Sequence, residues 1–222
     1  MAKVYAVRVG LVPGIYKTWD EAKVNVLGFP GAKYKSFSAS TIDEANCLAE
    51  AFMEGKEIKL SDNKVSGNAK NELTPYELAV AGLTKDDAVA YTDGSYNEVD
   101  ETGGAAFVYV VPEKTKPYVY AKKVNPDGMR QVKGEIVAVE LAINKAIESN
   151  MKTIEIRYDY IGVEKWVTGE WQAKNACTRR YKKRMEELSR KIEIRFNKVD
   201  AHSGNAFNDL ADLEAKKVCG KA

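Results

Sequence analysis

The chain has 222 residues, of which 45% are hydrophobic and 30% charged, and a net charge of +2. That length fits one large domain or a small one joined to a medium one, and the composition is that of an ordinary globular protein. No apolar run could span a bilayer, MAKVYAVRVG lacks the apolar stretch of a secretory signal, and three widely spaced cysteines without a CxxC argue against a zinc site. A cytoplasmic location with reduced thiols and no membrane association is expected.

Residues 3–53 read as a compact unit. VYAVRV alternates as a strand does, PGIY turns into a second short strand, and AKYKSF alternates as a third. Thr18-Trp19-Asp20-Glu21 and Thr41-Ile42-Asp43-Glu44 are capping boxes, each opening a helix. The first helix is predicted to end near Gly28. The second carries Ala45, Leu48, Ala49 and Phe52 on one face. A three-stranded sheet with two helices follows. Residues 54–87 are polar, aperiodic and rich in Gly, Asn, Ser and Lys, and read as a linker, with one or two helical turns in PYELAVAGL.

Residues 88–219 carry strand patterns at AVAYT, GAAFVYVV, PYVYAKKV, TIEIRY and IEIRFNKV. Helical patterns fall at 135–149, 161–171, 176–190 and 206–218. Ile136, Val139, Ile143 and Ile147 make the buried stripe of the first helix, and Tyr181, Met185 and Leu188 that of the third. This order predicts an α/β unit with a mixed sheet. Charge is uneven along the chain. Residues 1–37 carry six bases and two acids, and residues 174–191 carry eight bases and two acids. Two basic regions on a nearly neutral chain point to a polyanionic partner.

Four acids stand in four settings. Asp93 follows the apolar run AVAYT, Glu135 opens a helix, Asp159 ends the strand TIEIRY, and Asp212 lies in the last helix between Leu210 and Leu213. Each alone reads equally well as a cap, a turn residue or a surface charge. Together they suggest a cage, because crowded carboxylates repel and raise one another's pKa until a cation relieves them. All-oxygen ligation suits Mg²⁺ or Mn²⁺, and two such ions can clamp a scissile phosphate. The single histidine, His202, sits in the polar loop DAHSGNAFND, where a surface role competes with proton shuttling or product release.

TDGSY, then GEIVAVELA, YDY and HSG-x-x-x-ND-x-x-D, in that order, resemble type 1 ribonuclease H over residues 88–219. The resemblance implies a five-stranded mixed sheet flanked by helices. It also implies endonucleolytic hydrolysis of the RNA strand of RNA–DNA hybrids with two Mg²⁺ ions (Mn²⁺ as the alternative), leaving 5′-phosphate and 3′-hydroxyl ends. The metal-binding acids would be Asp93, Glu135, Asp159 and Asp212, and the loop histidine His202. Asp209 competes for the last acid, and the spacing of ten from His202 favours Asp212. YAVRVG, PGIYKTW and GFPGAKYKSF resemble the family's hybrid-binding domain, which implies that Tyr5, Trp19, Tyr34 and Lys35 contact the hybrid.

On this reading residues 1–53 bind hybrid, 54–87 link, and 88–222 catalyse, with no protein partner required. Where an Asn pair often precedes the helix acid, this chain has Gln131 and Lys133, so Gln131 is the candidate for the RNA 2′-hydroxyl. Asn97 and the pair Gly103-Gly104 are further substrate candidates. In a shortened basic segment, Lys174, Asn175, Thr178 and Arg179 are candidates for a DNA phosphate. Two other classes compete: a non-catalytic hybrid- or duplex-RNA-binding protein, against which the complete acid set stands, and another nuclease or strand-transfer enzyme of the same topology, which would lack the HSG loop and the N-terminal unit.

Overall fold

The computed structural model describes residues 2–26, 29, 32–55, 75–200 and 205–221. The chain forms two compact units, Met1–Leu78 and Ala79–Ala222. In the first, β1 (Ala2–Val9) is the centre of an antiparallel sheet between β2 (Gly14–Tyr16) and β3 (Lys33–Ala39). Helix α1 (Trp19–Lys23) and helix α2 (Ile42–Met53) both begin at the predicted capping boxes. Thr18 Oγ1 accepts from the Glu21 amide at 3.2 Å, and Thr41 Oγ1 accepts from the Glu44 amide at 3.2 Å. Such a cap is worth about 1 kcal/mol.

Strand alternation divides the first unit's apolar residues between two faces. Val4, Ala6 and Phe37 meet Ala45 and Ala49 of α2. On the other face Val7 packs with Ala22 and Val26, and Tyr5, Trp19 and Tyr34 lie over them. Helix α1 is shorter than the sequence pattern suggests. After Lys23 the chain turns, and buried Asn25 donates to the Glu21 carbonyl at 2.8 Å while its own carbonyl accepts from the Leu11 amide. Helix α3 (Pro75–Val80) occupies the PYELAVAGL stretch.

The second unit is a five-stranded mixed sheet in the order β6-β5-β4-β7-β8. Strands β4 (Asp87–Asn97), β5 (Thr102–Val110) and β6 (Tyr118–Val124) form an antiparallel meander. Strands β7 (Thr153–Tyr158) and β8 (Glu193–Lys198) run parallel to β4. One face of the sheet is covered by α4 (Gln131–Glu148), α5 (Gly162–Thr168) and α6 (Ala176–Leu188). Ile136, Val139 and Ile143 of α4 and Tyr181, Met185 and Leu188 of α6 are all fully buried, as their spacing predicts. Helix α7 (Ala206–Val218) packs against β4, β5 and β6. The predicted mixed α/β architecture is therefore the observed one.

Two boundaries differ from expectation, and both bear on the site. Strand β4 does not stop at Asp93-Gly94 but continues to Asn97, because β5 pairs with it through Asn97↔Thr102. Helix α4 begins at Gln131, one turn before Glu135. Its preceding residue, Arg130, adopts φ 52° and ψ −134°, a conformation rare for a residue with a Cβ.

Candidate active site

Three of the four predicted acids converge. One oxygen from each of Asp93, Glu135 and Asp159 lies within 4.8 Å of the others. The sheet explains the first pair. Parallel strands β4 and β7 pair through Tyr91↔Arg157, and Asp93 and Asp159 stand two residues beyond that last rung. Parallel strands with equal offsets put both carboxylates at the same end and on the same side.

Glu135 arrives from α4, and glycines permit the approach. A Cβ on Gly94 would sit 2.3 Å from the Glu135 amide nitrogen, and one on Gly134 would sit 2.1 Å from the Gly104 carbonyl oxygen. Gly94 is thus a glycine inside a strand that lets another backbone pass closely, not a turn. On the opposite face a Cβ on Gly104 would lie 2.0 Å from the Ala215 carbonyl oxygen, so α7 also needs a bare backbone beneath it.

Burial and mutual repulsion dominate the electrostatics. Asp93 is 6% exposed and Glu135 4%. Burial first, then the charges of Asp159 and Asp212, push the Asp93 carboxyl up to about 8, against a partial offset from the Gly94 amide. Burial, then Asp93 and Asp159, push Glu135 well above the usual carboxylate range. A proton held on Glu135 bonds to Asp93. Glu135 Oε2 is buried with no hydrogen-bond partner among the described residues. Two acids forced to keep protons near neutral pH, and an orphaned inward oxygen, are the features a hard divalent cation would correct. The residues fit such an ion.

Asp212 lies nearby without joining the cluster. Its Oδ2 accepts from Lys216 Nζ at 2.6 Å, one turn along α7, yet its charge contributes to raising Asp93. Phe207 anchors that helix by packing on Tyr91 at a ring separation of 5.4 Å, and Arg157 donates to the Tyr91 hydroxyl at 2.5 Å. His202 lies outside the described residues. Asp209 falls in the first turn of α7.

The comparisons with known proteins agree with this geometry. A family model described as RNase H matches residues 85–220. The chain belongs to the ribonuclease H family. A second model, described as the ribonuclease H1 N-terminal domain, matches residues 3–47. Ribonuclease H1 of Rattus norvegicus is 24% identical over 96% of this chain and 88% of its own length. Ribonuclease H of Pseudoalteromonas translucida is 25% identical over 59% of this chain and 88% of its own. The solved ribonuclease H1 from Halobacterium salinarum superposes with a TM-score of 0.53 at 22% identity, covering 61% of this chain and 99% of its own, which supports the fold. Family membership makes the chain a ribonuclease H enzyme, and ribonucleases H are metal-dependent.

The secondary site residues divide. Gln131 is exposed at the first position of α4. Lys174 and Asn175 are exposed at the entry to α6, where Asn175 Oδ1 caps the helix by accepting from the Thr178 amide at 2.8 Å. Exposed Arg179 donates to the Lys174 carbonyl at 2.5 Å and so shapes the loop. Thr178 corrects expectation: it is 2% exposed, and its hydroxyl is 3.1 Å from Asn175 Oδ1, so it builds the cap and presents no free group.

Asn97 is also corrected. Its amide donates to Asp100 and to the carbonyls of Cys219 and Gly220, and its oxygen accepts from the Val99 amide, so it ties a β-turn to the end of α7. Gly103 and Gly104 are buried within β5, where close packing rather than substrate requires them. In the first unit Tyr5, Trp19 and Tyr34 form a continuous aromatic group, with ring separations of 5.7 Å on either side of Trp19. Lys35 does not stand with them. It lies opposite Ala6, on the α2 face, 5.8 Å from the Phe37 ring. The cation beside the aromatic group is Lys3, 5.0 Å from the Tyr5 ring.

Two features escaped the sequence reading. A pocket of about 560 Å³ between the α4 entry and the α6 entry is lined by Lys133, Asn175 and Arg180 together with Asp127 and Cys177. Lys133 bonds to Asp127 and lies 3.6 Å from Cys177 Sγ. Second, Tyr160, Trp166 and Trp171 form an aromatic run beginning next to Asp159, with ring separations of 5.9 and 6.0 Å. Trp171 is 39% exposed, and it shares a hollow with Lys174. An exposed tryptophan followed three residues later by a lysine was the available signal.

Proposed function

We propose that the chain is an endonuclease that hydrolyses the RNA strand of RNA–DNA hybrids, leaving 5′-phosphate and 3′-hydroxyl ends. The observation that carries this reading is the convergence of buried Asp93 and Glu135 with half-buried Asp159, beside an orphaned Glu135 oxygen. Asp93, Glu135, Asp159 and Asp212 would hold two Mg²⁺ or Mn²⁺ ions, which when bound supply Lewis acidity at the scissile phosphate and acidify water. The protein's own part is positional. The β4–β7 ladder fixes Asp93 against Asp159, the bare backbone at Gly94 and Gly134 seats Glu135, and Phe207 holds α7 so that Asp212 borders the cluster. His202 would move a proton or assist product departure.

Substrate recognition follows from the surrounding surfaces. Gln131, exposed one turn before Glu135, would read a 2′-hydroxyl on the RNA strand. Lys133, Asn175 and Arg180 would hold a DNA phosphate in their pocket, with Lys174 and Arg179 ordering its rim. Trp171 would pack on the DNA strand. Residues 1–53 would bind hybrid separately through Tyr5, Trp19, Tyr34 and Lys3, tethered by residues 54–87 to the catalytic residues 88–222. None of these contacts reads base edges, so little sequence preference is expected.

Digestion of end-labelled RNA–DNA hybrid beside duplex DNA, duplex RNA and single strands, with Mg²⁺ and with chelator, tests the proposal. RNA-strand cleavage of the hybrid alone, abolished by chelator and by Asp93→Asn, is the expected result. Undiminished cleavage by Asp93→Asn would overturn the site, and hybrid binding without cleavage would convert the assignment to a binding protein.

A further inference from the structure

One acid of α4 is buried where its neighbours are apolar. Ile136, Val139 and Ile143 are fully buried, and Glu140 stands among them with its side chain only 17% exposed. Its Oε1 is buried with no hydrogen-bond partner among the described residues. Burying a carboxylate without such a bond is costly, so an acid kept at this place points to a role beyond packing. Five residues beyond Glu135, it faces α6 and not the carboxylate cluster.

Its surroundings are cationic. Arg180 Nη2 of α6 lies 3.6 Å from Glu140 Oε1. Burial pushes the Glu140 carboxyl upward, and the charges of Arg180, Arg184 and Lys133, in that order, draw it back. The carboxylate is thus felt by both cations that line the pocket between the α4 and α6 entries, Lys133 and Arg180, while Glu140 itself lies behind that lining. Asn144, one turn further along α4, donates to the Glu140 carbonyl at 2.8 Å and accepts from Arg184 Nη2 at 3.2 Å. Lys133, Glu140 and Asn144 of α4 therefore face Cys177, Arg180 and Arg184 of α6 as a polar seam, whose Lys133 end opens into the pocket.

We propose that Glu140 is a positioning residue, which holds the Arg180 guanidinium toward the pocket so that it meets a DNA phosphate with little loss of side-chain freedom. The inference rests on the reading that this pocket takes a phosphate. The Arg180 side chain is 58% exposed and, unsupported, would range over many rotamers. A guanidinium carries five N–H donors in a rigid plane, so one edge can face Glu140 while another faces a phosphate. The pocket's other acid stands differently. Asp127 belongs to the lining, is 50% exposed and bonds to Lys133, so its carboxylate competes with a phosphate for that lysine. Neutralising either acid removes one negative charge from the same locality, but only Glu140 supports Arg180.

Steady-state cleavage of hybrid by the full chain with Mg²⁺ tests the proposal. Glu140→Gln keeps the shape of the side chain and is expected to raise KM at least ~3-fold while kcat stays within a factor of about two, the split of a binding contact. Glu140→Met, which replaces the buried charge by an apolar chain of similar volume, should give the same rise. Arg180→Met should raise KM at least as much and lower the salt dependence by about one phosphate contact. With Arg180 gone, adding Glu140→Gln should change KM by less than ~1.5-fold, because its effect passes through that side chain. Asp127→Asn should lower KM. A fall in KM for both Glu140→Gln and Asp127→Asn would reduce Glu140 to a local charge and overturn the proposal. A loss of kcat in both Glu140 variants, the mark of a structural role, would overturn it too, as would a full Glu140→Gln effect in the Arg180→Met background. If Arg180→Met leaves KM and its salt dependence unchanged, the phosphate pocket falls and the proposal with it. If Arg180→Met raises KM and Glu140→Gln does not, the pocket stands and the positioning role alone is refuted.

Discussion

Replacing Asp93 by asparagine should stabilise the metal-free protein at alkaline pH while abolishing cleavage. The Asp93 carboxyl keeps its proton up to about 8, against 3.8 when exposed. A folded-state value raised above the unfolded one means that the stabilising contribution is complete below the unfolded value and is lost as pH climbs toward the folded value. At about 1.4 kcal/mol per unit, the loss by pH 8 reaches on the order of 5 kcal/mol, and by pH 5 on the order of 1–2 kcal/mol. With about 2–4 °C per kcal/mol for a unit of this size, the variant should melt on the order of 10 °C above the parent near pH 8 and only a few degrees above it near pH 5. Thermal melts by circular dichroism in chelator, at both pH values, measure the gap. Adding Mg²⁺ should raise the parent's Tm more than the variant's, because binding to the folded state alone stabilises it. A parent whose Tm is flat between the two pH values, with a variant no more stable, would refute the reasoning that crowding and burial charge this site with repulsion.

Three further outcomes follow. Gly134→Ala puts a methyl group 2.1 Å from the Gly104 carbonyl oxygen; urea denaturation should show a loss of about 1–3 kcal/mol, and cleavage should fall because Glu135 shifts with its helix. Trp171→Ala should raise KM for hybrid by about 10-fold or more while leaving kcat within a factor of a few, measured by steady-state cleavage. Lys216→Met removes the ammonium that competes for Asp212; titration of Tm with Mg²⁺ should then reach its midpoint at a lower ion concentration, and an unchanged midpoint would place Asp212 outside the ion's reach.

The elements of the fold were legible because their signals are local. The Thr18 and Thr41 capping boxes, the apolar stripe of α4 and the alternation of β1 each follow from neighbouring residues alone. The acids were legible as candidates for the same reason, and Asp93, Glu135 and Asp159 do meet. Errors fell where a residue's role is set by a distant partner. Gly94 looks like a turn until α4 lies across it, and Gly104 looks like a loop contact until α7 does. Asn97 looks like a substrate group until the end of α7 occupies its amide. Lys35 shows the opposite failure. Its placement is readable from the two-residue period of β3, since Tyr34 and Lys35 cannot share a face.

The site also depends on where the sheet stops. Up to Tyr91, β4 pairs on both sides, and its backbone groups serve the ladder. Past that rung only β5 continues, and β7 turns away at Asp159. Along β4's open flank the Gly94 amide is used by carboxylates, bonding to both Asp93 and Glu135. A side chain at position 94 would therefore do two harms at once: it would push Glu135 off its seat and disturb a donor that steadies the cluster. The end of a parallel ladder thus supplies three things the site uses, namely two carboxylates at equal offset, room for a third from a helix, and the Gly94 amide, which opposes the rise of both Asp93 and Glu135.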